Sequence, residues 1–250
     1  MEGYGSSSYG DRFADVYDDW YRGLSDVDTT VAALLELAGG GSVLELGVGT
    51  GRLAIPLARA GADRAVKVQG IDSSAAMLDV MRAKPGAELV EVHLGDMVDE
   101  MPDGPFDMVF VAYNTLFNLA EPHRQAGCFH AVADRLVPGG RFVVEAFVPD
   151  DPPRDGAAVS VRSMTADRVV LSVSIHHPAD QLAEGQFIEL TEAGGVRLRP
   201  WSIRYARPTE LDAMATAAGL KLERRWLGFG DRDFRDGDDR HVSAWRARGE

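Results

Sequence analysis

The stretch Val43-Leu44-Glu45-Leu46-Gly47-Val48-Gly49-Thr50-Gly51-Arg52 constrains this chain more than any other part of it. An apolar run meets alternating glycines and then a helix-compatible segment, the context in which a glycine pattern reads as a ligand-binding corner. Glycine permits a tight turn and close approach of backbone to ligand. The helix that follows presents unpaired N–H groups to an anion. Around this corner the chain alternates, with apolar strands expected at 42–46, 65–71, 88–94, 106–112 and 141–147. Helices are expected between them at 52–60, 74–83 and 121–136. Such a rhythm implies a mainly parallel sheet covered on both faces, an α/β doubly wound fold.

The flanks differ. Residues 1–10 are rich in Gly, Ser and Tyr and are expected to be mobile. Phe13, Val16, Tyr17, Trp20 and Tyr21 then fall at helical spacing, and a second helix is expected from an Asp28 N-cap to Leu37, stopped by Gly39-Gly40-Gly41. Between 150 and 207 the rhythm breaks into β-prone segments at 159–165, 168–176, 186–191 and 196–205, read as an antiparallel insertion. A helix over 208–219 with Thr209 as cap follows, then strands at 221–227 and 241–246 around a solvated acidic loop, 231–240. The expected organisation is one domain, with a helical cap (1–41), a core (42–149), a β-rich lid (150–207) and a closing segment (208–250).

Three carboxylates specify the chemistry. A dinucleotide fingerprint, G-x-G-x-x-G, would need glycine where Arg52 stands. Glu45, two residues before the first glycine, suits a ligand carrying an ammonium better than a pyrophosphate. Asp72 ends the second strand, where doubly wound sheets bind a ribose diol. Asp96 ends the third, in position to accept from an adenine amino group.

Together these residues resemble the class I S-adenosylmethionine-dependent methyltransferases, over roughly residues 9–149. Leu44 to Gly51 is similar to the family's first motif, Gly70-Ile71-Asp72 to its second and Gly95-Asp96-Met97 to its third. Phe106 to Val111 resembles its fourth strand, and Leu136-Val137-Pro138-Gly139-Gly140-Arg141-Phe142 the turn into the fifth. The resemblance implies a Rossmann-like sheet and S-adenosylmethionine as cofactor, with S-adenosylhomocysteine as product. It implies that Gly47 and Gly49 approach the methionine end and that Glu45 accepts from its ammonium. Asp72 would take the ribose, Asp96 the adenine amine, and Met97 would offer its N–H to the ring, with Met77 packed on it. Gly51, Arg52, Ser73, Gly95 and Ala112 flank these positions as further cofactor-binding candidates.

The helix around Phe13 to Asp18 is similar to one that closes over the cofactor in small-molecule enzymes, with Tyr17 near the sulfonium. Trp20, Tyr9 and Arg22 are weaker candidates there. The base-amine motif Asn/Asp-Pro-Pro-aromatic is missing after the fourth strand, where Asn114-Thr115-Leu116-Phe117 resembles amino-sugar N-methyltransferases and glycine N-methyltransferase relatives. The expected acceptor is therefore a small molecule, methylated on nitrogen or oxygen. His176, His177, Tyr17 and Asn114 are the catalytic candidates, with Trp201, Arg204 and Tyr205 near the acceptor. His123, His130 and Glu145 are further candidate bases.

A net charge of −13 opposes nucleic acid and anionic membrane as partners. Cys128 stands alone, which excludes a disulfide or a thiolate zinc knuckle, and no metal is expected. No 18-residue apolar run and no signal-like start are seen, so a cytoplasmic location is expected. A nicotinamide-dependent oxidoreductase, a non-methylating cofactor-binding relative and a protein-directed methyltransferase remain as alternatives.

Overall fold

The structure is a computed structural model that describes residues 1–23, 26–230 and 232–249. Its centre is a seven-stranded sheet of β1 (Ser42–Leu46), β2 (Lys67–Asp72), β3 (Val90–Leu94), β4 (Phe106–Val111), β5 (Leu136–Phe147), β10 (Leu220–Trp226) and β11 (Arg240–Ala247). The spatial order is β10-β11-β5-β4-β1-β2-β3. Strands β1 to β5 run parallel, and β11 lies antiparallel between β5 and β10. The chain order reverses between β1 and β4, and such a switch point opens a crevice at the carboxyl ends of the strands.

Helices cover both faces, because the strands alternate apolar side chains to two cores. On one side α3 (Val27–Ala38), α4 (Ala54–Gly61) and α5 (Ala75–Arg82) pack Leu34, Leu57, Leu78 and Met81 against Val43, Met108 and Phe110. On the other, α6 (Arg124–Ala133) and α7 (Pro208–Ala217) pack Phe129, Val132 and Leu211 against Leu44, Val109, Phe142 and Trp245. Cys128 is buried in this second core, and burial pushes its thiol up to about 12.

A four-stranded antiparallel sheet, β6 (Gly156–Met164), β7 (Arg168–His177), β8 (Leu182–Thr191) and β9 (Val196–Arg204), forms the insertion after the fifth strand. It packs against the N-terminal segment, where Phe13 and Trp20 meet Phe187 edge-on at 5.9 and 5.7 Å. Asp15 pairs with Arg199 and, at 2.8 Å, with Arg197; Arg199 in turn bonds Glu189 at 3.1 Å.

Several sequence expectations need correction. The N-terminal helical run is two short helices, α1 (Ser8–Phe13) and α2 (Tyr17–Trp20). The opening stretch is seated rather than loose. Gly10 lies so close to α5 that a Cβ would come within 2.4 Å of the Ser74 Cβ, while Ser73 Oγ donates to the Ser6 carbonyl at 2.9 Å. Asp26, not Asp28, caps α3, because its extended backbone lets the carboxylate accept the Thr29 N–H at 3.2 Å. Helix α6 is shorter at both ends than expected, since Leu136 already pairs with Phe106 in the sheet. Strand β8 starts at Leu182, four residues earlier than the β-propensity suggests. Helix α7 begins at Pro208, ahead of the expected Thr209 cap, and the Glu210 carboxylate accepts the Arg207 N–H at 2.6 Å. The acidic loop, whose Asp231 falls outside the described residues, is mostly exposed, as expected, and carries an internal ion pair. Arg232 meets Asp238 at 2.6 Å and holds that carboxyl down at about 2.

Candidate functional site

The crevice at the β1/β4 switch point is a cleft of about 670 Å³ including its open mouth. Its floor is made by backbone. Gly47, Gly49 and Gly51 adopt left-handed φ of 67°, 54° and 76°, a region that other residues enter only with strain. At Gly47 a Cβ would also stand 2.4 Å from the Thr115 Cγ2, so strand end and facing turn touch through the missing side chain. At Gly51 the missing side chain makes room for Met81 and Ile55, which is a packing role.

Asp72 ties this floor together. One carboxylate oxygen accepts the Gly49 N–H at 2.8 Å and the other the Ser74 N–H at 2.9 Å. Burial nonetheless pushes its carboxyl above the usual range. Glu45, behind the glycine loop, is 4% exposed, and one of its carboxylate oxygens has no hydrogen-bond partner. Burial pushes that carboxyl up to about 8, against the opposing pull of the Arg52 guanidinium. The Ala54 N–H is a partner of this carboxyl, and a buried carboxylate with an oxygen left unpaired beside a cleft is the complement of a cation. These acceptors therefore fit a ligand with an ammonium at the Glu45 end and hydroxyls at the Asp72 end.

The structure brings most of the sequence-derived candidates into one wall. Tyr17, Gly47, Gly49, Asp72, Ser73, Met77, Gly95, Asp96 and Met97 all line the cleft. Glu45, Gly51, Arg52 and Ala112 stand behind it, Ala112 in the apolar core. Asp96 is partly engaged already, because one oxygen accepts the Val98 N–H at 2.8 Å and pairs with Arg124. Ser6, Gly10, Ile71, Thr115, Asn118 and Leu119 also line it and were not among the candidates. Nothing in their residue types singles them out; the tertiary fold delivers them.

Tyr9 and Tyr17 close the cleft from the N-terminal side. The Tyr9 and Tyr21 hydroxyls are hydrogen-bonded at 2.9 Å, the Tyr17 and Tyr21 rings lie 4.7 Å apart, and Tyr21 meets Tyr113 edge-on at 5.9 Å. Burial raises the pKa of Tyr9, Tyr17 and Tyr113, so these phenols remain neutral rings and donors at neutral pH. Glu145, at the end of β5, accepts the Tyr113 N–H at 2.9 Å, and its carboxyl is likewise pushed up by burial.

The remaining catalytic candidates lie elsewhere. Asn114 has a left-handed φ of 64°, and its side-chain oxygen accepts the Phe147 N–H at 2.7 Å, so it stitches the β4 loop to β5. His176 lines a different cleft together with Trp201 and Tyr205, and bonds Ser174 Oγ at 3.0 Å; His177 is exposed. Arg204 donates to the carbonyls of Ala120 and Asp180. His123 and His130 are exposed on α6 and the turn before it, and Arg22 is exposed and paired with Asp19 at 2.8 Å. Among the described residues no group of three or more His, Cys, Asp or Glu is placed to hold a metal, and no helix is long and apolar enough to cross a membrane.

Sheet order, glycine corner and paired acids together define a nucleotide-cofactor transferase of the methyltransferase type. Residues 43–140 match the family model described as a methyltransferase domain. Over 189 residues the chain is 30% identical to the cypemycin N-terminal methyltransferase of a Streptomyces species, covering 73% of this chain and 74% of that protein. The solved structure of the CcbJ methyltransferase from Streptomyces caelestis superposes with a TM-score of 0.87 at 39% identity, over 98% of this chain and all of that one. A more distant fold relative is CalS10 from Micromonospora echinaspora, an amino pentose methyltransferase solved with S-adenosylmethionine bound. It has a TM-score of 0.68 at 24% identity, over 93% of this chain and 97% of that chain. The chain belongs to the class I S-adenosylmethionine-dependent methyltransferases, and S-adenosylmethionine is its cofactor. The nicotinamide alternative is thereby set aside.

Proposed function

We propose that this methyltransferase acts on an amine nitrogen of a small-molecule acceptor, with the cleft at the ends of β1 to β3 as its cofactor site. When bound there, S-adenosylmethionine supplies a methyl group on a sulfonium, ready for in-line displacement. In this assignment Glu45 receives the cofactor's ammonium, Asp72 its ribose, and Asp96 with Met97 its adenine. Gly47, Gly49 and Ser73 allow close backbone approach, Met77 packs on the ring, and Arg52 balances the charge of Glu45. Tyr17 faces the reacting end.

The observation that carries the amine reading is the ring of tyrosines, Tyr9, Tyr17, Tyr21 and Tyr113, beside the Glu145 carboxyl. A nitrogen that takes a methyl group becomes positively charged as the new bond forms. Aromatic faces stabilise such a charge by about 0.5–2 kcal/mol each. Phenols held neutral are poor bases, whereas an amine needs only to arrive unprotonated and be oriented. Orientation of this kind contributes roughly 7–11 kcal/mol in favourable cases. The relatives named above, an N-terminal and an amino pentose methyltransferase, are consistent with nitrogen as the target.

We infer further that the helical cap, core, lid and closing segment work as one catalytic unit in the cytoplasm, without nucleic acid as partner, in keeping with the charge of −13. The direct test is an acceptor screen with isotopically labelled methyl groups, pairing each amine with its hydroxyl isostere. Label is expected in amines alone. Transfer to the hydroxyl members, or to protein, would replace this reading with an O-directed or protein-directed one.

A further inference from the structure

A second cleft is left unassigned by this chemistry. It lies at the end of β5, between the 148–154 loop and one face of β7 to β9, and encloses about 810 Å³ including its mouth. Phe147, Trp201, Ile203 and Tyr205 wall it. Phe147 packs edge-on against Phe117 at 5.1 Å, and the turn that carries Phe117 also supplies Thr115 and Asn118 to the cofactor cleft. An aromatic pair thus links a wall of this cleft to a turn that lines the other.

Two polar atoms in this wall are buried without a hydrogen-bond partner, the Trp201 indole nitrogen and the Tyr205 hydroxyl. Tyr205 is more than nine-tenths buried. A buried donor left unpaired is costly, and native proteins carry few of them. A Cβ on Gly185 would fall 2.5 Å from the indole ring, so only glycine leaves room for it against β8.

The charged groups around the cleft are already matched. Arg154 bonds Asp150 at 3.0 Å, Arg207 meets Asp151 at 3.5 Å, Arg240 meets Asp239 at 3.9 Å, and Arg204 is spent on carbonyls. Such a cleft offers aromatic faces and two donors, with no surplus cation to neutralise a diphosphate.

We propose that this second cleft holds the distal part of the methyl acceptor, a neutral ring bearing hydrogen-bond-accepting oxygens, with Trp201 and Tyr205 as the donors that recognise it. A glycosyl ring and a cyclic amide share that chemistry. The inference rests on the small-molecule reading above and adds what the acceptor carries beyond its amine. Both donor atoms are covered in the free protein, so the two side chains turn toward the cleft on binding.

The test uses Trp201→Phe and Tyr205→Phe, which keep an aromatic ring and remove the donor. The full-length protein is titrated with methyl β-D-glucopyranoside, with N-acetylprolinamide and with uridine diphosphate. Binding is followed by NMR on the indole N–H signals, the Trp201 signal being identified by its loss in Trp201→Phe. S-adenosylhomocysteine is titrated in parallel. At least one neutral probe is expected to move the Trp201 signal while uridine diphosphate does not, and Tyr205→Phe should weaken that binding roughly tenfold. Both variants should keep or raise the melting temperature of the free protein, because each removes an unpaired buried donor. Movement by neither neutral probe, preference for uridine diphosphate, or a lowered melting temperature in both variants would overturn the proposal. Failure of S-adenosylhomocysteine to bind, with the neutral probe still bound, would count against the cofactor site and leave this cleft standing.

Discussion

The floor of the cofactor cleft and the β-sheet that packs beside its N-terminal cover are held by opposite means. The floor is backbone and apolar core, with left-handed glycines, carboxylates raised by burial and few ion pairs. The β6–β9 sheet is fastened by charge. Between residues 156 and 204 five arginines face five acids, so the segment is neutral in a chain that carries −13 overall. Arg199, 3% exposed, joins Asp15 near the N-terminus to Glu189 on β8. The difference sets opposite pH responses. Asp15 is held below its ordinary value by Arg199, so its contribution is present above about 3.8 and is lost as acid protonates it. Glu45 is raised from 4.5 to about 8, so the folded protein keeps a proton that the unfolded chain releases. Stability from that site therefore falls as pH rises from about 4.5 through about 8.

The largest expected effect is on the charged fastening. Arg199→Ala leaves the buried Glu189 with Arg168, at 3.3 Å, as its remaining charged partner and should destabilise the protein by about 3 kcal/mol, the low end for a broken buried pair. Thermal unfolding should register it as a lowered midpoint; an unchanged midpoint would make the ion network decorative. Asp72→Ala removes an acceptor of two backbone N–H groups and, in the proposed assignment, of the ribose. The loss of about 1.5–3 kcal/mol corresponds to roughly 10–150-fold weaker S-adenosylhomocysteine binding by calorimetry.

Gly47→Ala forces a left-handed alanine against Thr115, at a cost of about 1–3 kcal/mol. Cofactor affinity should fall while the β6–β9 sheet keeps its amide-exchange protection. Glu45→Gln should flatten the stability change between pH 5 and 8.5 in urea titrations without cofactor. A wild-type slope retained in the variant would place the titrating group elsewhere. The smallest effect belongs to His177→Ala. An exposed side chain outside both clefts should change turnover less than about twofold, within the ±0.5 kcal/mol of ordinary surface substitutions.

The same contrast explains what the sequence made legible. Glu45, Gly47, Gly49, Asp72 and Asp96 follow from short contiguous segments, each a strand end with its turn, and local patterning is enough to find them. Tyr21 and Tyr113 meet only through a contact between distant parts of the chain. Their types are visible in the sequence and their company is not. His177 drew notice for its titration range, although alternation along β7 leaves it exposed. Asp26 and Asp28 are equally good caps by residue type, and only the backbone angle at Asp26 decides between them. The expected 121–136 helix overran because an α-compatible composition continues past the point where pairing of Leu136 with Phe106 claims the chain for β5.

The central claim is that Glu45 waits, protonated and with one oxygen unpaired, for the ammonium of the cofactor. Calorimetric titration with S-adenosylhomocysteine at pH 6.5, in buffers of different ionisation enthalpy, counts the protons exchanged on binding. Wild-type protein should bind and release close to one proton, because the arriving ammonium ionises Glu45, whereas Glu45→Gln should bind more weakly and release none. Tight binding with no proton release from the wild type, or equal release from both proteins, would contradict the assignment.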